Sequence, residues 1–88
     1  MDYELAKELK DNNFKTPRGI WFAEKMEYLP APTLSELIEA CGEDFDRLIL
    51  RSPTINPFWE AYNLKDERER GKTPEESVAR LWLGINKK

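Results

Sequence analysis

The chain has 88 residues, 40% hydrophobic and 35% charged, which fits one small globular domain spanning residues 1–88. Its net charge of −3 is mild and of the wrong sign for phosphate neutralisation, so nucleic acid is not an expected partner. With no His and one Cys, it lacks the commonest neutral-pH base, a structural zinc set and any intrachain disulfide.

The first helix is expected over residues 2–11, with Asp2 as its cap and Leu5 and Leu9 on one face beside Ala6. Asn12-Asn13 stops it, because Asn tolerates the left-handed conformation at a helix end. Phe14 is placed to fold back onto the Leu5/Leu9 stripe. Thr16-Pro17-Arg18-Gly19 reads as a turn. Residues 20–23 and 26–29 then form two short strands around Glu24-Lys25, or else one helix capped by Thr16-Pro17. Pro30-Ala31-Pro32 ends either structure.

Thr33-Leu34-Ser35-Glu36 is a capping box that opens a helix over residues 34–41, with Leu34, Leu37, Ile38 and Cys41 on one face. Gly42 is placed to end it. Residues 45–51 read as a strand, with Leu48 and Leu50 on one face and Ile49 on the other. Turn chemistry follows at residues 52–57, and residues 58–64 read as the partner strand. There Phe58 and Tyr62 face one way, Trp59 and Ala61 the other. The mixed run Lys65-Asp66-Glu67-Arg68-Glu69-Arg70 reads as a solvated loop or an extended turn before Gly71. Thr73, Pro74 and Glu76 then start a last helix over residues 74–86 with a second capping box. Val78, Leu81, Trp82 and Ile85 give it one apolar stripe. The expected architecture is therefore α+β: an antiparallel sheet of two to four strands packed against three helices. Its expected core is Leu5, Leu9, Leu37, Ile38, Leu48, Leu50, Val78, Leu81, Trp82 and Ile85.

No catalytic, cofactor-binding or metal-binding residues are identified. Cys41 falls on an inner helix face beside acidic neighbours, the setting of an inert thiol. Glu36, Glu39, Glu43 and Asp44 give residues 33–44 an uninterrupted acidic character. They are either a solvated helix face or a docking surface for a basic partner. Trp59 and Trp21 are the aromatics left over from the core, and aromatics of this kind anchor protein interfaces. Lys65, Arg68, Arg70 and Lys72 are interleaved with Asp66, Glu67 and Glu69, which largely cancel their field. No run approaches the ~18 apolar residues of a membrane span, so no membrane association is expected. The N-terminus does not read as a signal peptide, and the expected location is the cytoplasm.

Two stretches, residues 32–45 (Pro32 through Gly42, then Asp44-Phe45) and residues 71–83 (Gly71 through Leu83), resemble small phage and prophage proteins of bacteria with no assigned activity. Leu5 through Lys10 and Asn13-Phe14 fit the same pattern more loosely. Ser77 and Gly84 depart from it, standing where those proteins more often carry alanine. The resemblance implies a bacterial or phage cytoplasmic α+β domain and supplies no functional residues. Together with the missing catalytic groups, these observations predict a non-enzymatic binding or regulatory protein that docks to another protein. The alternatives are a homo-oligomeric structural protein and an acidic nucleic-acid mimic that inhibits a nucleic-acid-binding enzyme.

Overall fold

A computed structural model of the chain describes residues 2–51 and 56–86; the Ser52-Pro53-Thr54-Ile55 part of the expected turn lies outside them. The first helix, α1, is Tyr3–Asp11, and Leu5 N donates to Asp2 Oδ1 at 2.8 Å to cap it. Asn13 takes φ 63° and returns the chain so that Phe14 N donates to Leu9 O at 2.9 Å. Next come β1 (Gly19–Phe22) and β2 (Glu27–Pro30), an antiparallel hairpin. Of the two readings of residues 20–29, the strands are therefore the ones formed. Helix α2 (Leu34–Cys41) starts with the full reciprocal box between Thr33 and Glu36 and ends at Gly42 with φ 64°. A short 3-10 turn over Gly42–Asp44 leads into β3 (Phe45–Arg51), which pairs with β4 (Phe58–Asn63).

The charged run departs from its expected loop form. Arg68–Gly71 is a strand, β5, that pairs antiparallel with β4. Helix α3 (Pro74–Asn86) follows at once, with Glu76 N donating to Thr73 Oγ1 at 3.1 Å. Glu76 turns its carboxylate to Arg80, at 3.0 Å, in place of the return bond that a full box requires. The strands form two antiparallel sheets, β1-β2 and β3-β4-β5. The α+β class and the three helices are as the sequence predicts, and the strands divide between two sheets.

Helix α3 is the hub of the packing: it contacts α1, α2, β4 and β5. Its Val78, Ala79, Leu81, Trp82 and Leu83 join Leu5, Leu9, Phe14, Leu37, Cys41 and Ala61 in one buried cluster. Phe14 meets Trp82 edge-on, with ring centres 4.9 Å apart. Ile38, Leu48 and Ile85 are partly buried against this cluster. Leu50 is 50% exposed and leaves the expected core, because it lies opposite Trp59 near the end of β3, away from Leu48 and Ala61.

Candidate functional site

Two surfaces carry side chains that the core does not absorb. The first is the β1-β2 hairpin. A four-residue turn, Ala23–Met26, joins its strands, closed by Lys25 N donating to Phe22 O at 3.1 Å. The register sets Trp21 opposite Tyr28 and Ile20 opposite Leu29. Opposed residues share a face, so Leu29 turns inward and is fully buried where β2 meets α1. Trp21 and Tyr28 turn outward, 54% and 61% exposed, and Met26 at the turn is 76% exposed. Tyr28 lies across Gly19: a methyl group there would stand 2.3 Å from Tyr28 Cε1.

A lone hairpin is marginal in water, and this one is tied down at both ends. Tyr3 of α1 packs edge-on against Phe22 at 5.4 Å, and its hydroxyl donates to Glu27 Oε1 at 2.5 Å. Lys7 Nζ donates to Glu27 Oε2 at 3.1 Å. The Tyr3 hydroxyl, then Lys7, hold the Glu27 carboxyl below its ordinary value. At the other end Ala31 N donates to Arg18 O at 3.1 Å, and Arg18 Nε donates to Glu36 Oε1 at 3.1 Å.

The second surface is the face of the three-stranded sheet turned away from Ala61 and the helices. Strand alternation brings Phe58, Glu60 and Tyr62 of β4 onto it. Arg47, Ile49 and Arg51 flank them on β3, and Arg68 and Arg70 on β5. Glu60 is buried at the centre, its side chain 3% exposed. Arg51 Nε donates to Glu60 Oε1 at 2.6 Å, and Arg70 Nε to Oε2 at 3.3 Å. Arg68 Nε stands 3.6 Å from Oε2, and the Tyr62 hydroxyl donates to Oε1 at 3.2 Å. The Arg51 hydrogen bond leads the effects that hold the Glu60 carboxyl below its usual range, against its burial. The Arg47 guanidinium covers the Tyr62 ring at 4.0 Å and is engaged by Asp46 and Asp66. Arg70 covers the Phe58 ring at 5.1 Å.

The residues singled out from the sequence are scattered. Glu36 is occupied by the Thr33 box, by the Thr16 hydroxyl at 2.7 Å and by Arg18. It borders a shallow depression with Glu39 and Lys15. Asp44 borders a different one, with Asn63, Leu64 and Lys65. Glu43 is exposed in the 3-10 turn. Arg18 and the two lysines thus stand among these carboxylates. Trp59 is half-buried on the helix-facing side of β4, in a different sheet from the exposed Trp21. Cys41 is buried, and burial, with Asp44 adding, pushes its thiol up to about 11.

Neither Tyr28 nor the Glu60 cluster is among the candidates that the sequence singles out. Tyr28 carried a signal, since it pairs with Trp21 once the hairpin is drawn. The cluster's signal was the sign alternation of Glu67-Arg68-Glu69-Arg70, which a strand sorts onto opposite faces. Among the described residues, no group of three or more Asp, Glu or Cys side chains is arranged to hold a metal ion. No helix among them is long and apolar enough to cross a membrane. No family model, no curated protein and no solved structure matches the chain.

Proposed function

We propose that this protein is a non-enzymatic docking module that engages another protein through the Trp21/Tyr28 face of its hairpin. The observation that carries the reading is an exposed aromatic pair on a hairpin anchored at both ends. Such a pair offers large apolar contact area at low ordering cost, because its backbone is already fixed. The absence of His and the raised Cys41 thiol support a role without catalysis. The resemblance at residues 32–45 and 71–83 supports a phage or prophage origin and action in the bacterial cytoplasm.

The test compares the wild-type chain with a Trp21→Ser/Tyr28→Ser variant, both verified as folded by circular dichroism. A bacterial lysate should yield one stoichiometric partner with the wild type and none with the variant. Equal recovery by both proteins overturns the assignment of the face, and no recovery by either overturns the function. Sedimentation separates the homo-oligomer alternative. Self-association at high micromolar concentration that the double substitution abolishes would assign the hairpin to a second copy of the chain.

A further inference from the structure

We propose that Arg51, Arg68 and Arg70, gathered around Glu60, form a binding site for a phosphorylated segment of a partner polypeptide. One carboxylate holds three guanidinium groups, at 2.6, 3.6 and 3.3 Å. Two positive charges in the cluster are therefore left uncompensated. The three arginine side chains are 49%, 53% and 60% exposed, so each is about half open to solvent while Glu60 holds it from below. Planar forks held in this way suit a compact dianion, and a phosphate monoester accepts from several of them at once. Arg47 stands apart, because Asp46 and Asp66 already engage it.

Two features favour a peptide over a nucleotide. Arg47 lies over the Tyr62 ring and Arg70 over the Phe58 ring, so a base stacking on either ring at that position would have to displace a guanidinium. Among the described residues, β3 pairs with β4 alone. Its outer edge therefore offers main-chain hydrogen bonds to an extended peptide, about 4.8 Å away. Alternate side chains of that peptide would lie on the arginine face beside Arg47, Ile49 and Arg51. The site is on a different sheet from the hairpin, so its success or failure is independent of the docking function proposed above.

The experiment titrates the full chain, labelled for arginine Nε and backbone amide signals. The probes are a seven-residue Val/Ala peptide carrying one central phosphoserine, its serine twin, and adenosine monophosphate. The phosphopeptide should saturate, shifting the Nε signals of Arg51, Arg68 and Arg70 and the amides of β3. The serine twin should not bind. Arg51→Gln should weaken binding about tenfold or more, the scale of a lost hydrogen bond to a charged group. Arg51→Lys should recover part of it. Should Arg51→Gln perturb the fold, Arg70→Gln provides the same reading from the other edge of the cluster.

Affinity should rise several-fold from pH 5 to pH 7.5, following the second phosphate ionisation near about 6. The groups facing the ligand are Glu60, Tyr62 and the arginines of β3 and β5, with Asp46 and Asp66 beside Arg47, and the chain has no His. None of these has an ordinary value near 6. No saturable shift at millimolar phosphopeptide, or equal binding by Arg51→Gln and Arg70→Gln, overturns the site. Adenosine monophosphate binding as tightly as the phosphopeptide, with the β3 amides unmoved, overturns the peptide as occupant.

Discussion

Gly71 ends β5 directly against the first turn of α3, and a side chain has no place there. A Cβ would stand 2.5 Å from Ser77 N and 2.9 Å from Glu76 C, both main-chain atoms. Ser77 is itself fully buried, with its hydroxyl donating to Pro74 O at 2.9 Å, so neither side can yield cheaply. Gly71→Ala should cost about 1–3 kcal/mol in urea unfolding, the range for overpacking. Trp82 fills the opposite need. It is buried against the edge of Phe14, and Trp82→Ala should cost about 3–5 kcal/mol through lost transfer energy and an unfilled cavity. A Trp82→Ala protein with unchanged stability would show that this ring is not a core element. Both residues were legible in the sequence, for different reasons. Trp82 belongs to a stripe of period 3.6, whereas Gly71 stands out in the sequence only as a residue just before a helix start. Its reason for being glycine lies in the β5/α3 contact.

The hairpin and β5 show how differently two short elements are specified. The hairpin carries apolar residues on both strands, which the sequence displays; what it conceals is which of them are covered. Leu29 is buried because α1 lies beneath β2, and Tyr28, one residue earlier, is exposed for the same reason. Gly19 belongs to this arrangement. Gly19→Ala would put a methyl group 2.3 Å from Tyr28 Cε1, the far end of an exposed side chain that can swing away. The expected outcome is a protein within about 0.5 kcal/mol of wild type whose partner recovery is reduced because Tyr28 has left Trp21. Unchanged recovery with a demonstrably displaced Tyr28 ring would remove Tyr28 from the docking face. Strand β5 has no apolar alternation to announce it. Arg68 and Arg70 take one face and Glu69 the other, and the strand exists because β4 supplies its hydrogen bonds and Glu60 its charge partner.

At the scale of the whole molecule, the charges give a stability profile with two flanks and a flat centre. Glu60, Glu27 and Glu36 all titrate below their ordinary 4.5, held down first by Arg51, by the Tyr3 hydroxyl and by the Thr33 backbone amide respectively. A lowered carboxyl means that the folded state binds its proton less readily than the unfolded chain. Its contribution is therefore complete above 4.5 and lost as pH falls through the lowered folded values. Cys41 has the opposite sign. Its thiol is raised from 9.0 to about 11, so its contribution holds below 9.0 and fades as pH rises towards 11. No His titrates between these flanks. Chemical denaturation across pH 3–10 should give a plateau through neutrality, and Glu60→Gln should flatten part of the acid flank. A steep change between pH 6 and pH 8 would contradict the assignment. By itself the sequence determined the three helices and where they start, the pairing of β3 with β4 and most of the helical part of the core, because periodicity and capping are local and each is written within a dozen residues. Only the tertiary structure decided that Glu60 is buried beneath Arg51, Arg68 and Arg70, and that Trp21 and Tyr28 face water. Those outcomes depend on which element covers which face, a pairing of segments distant along the chain that no local pattern encodes.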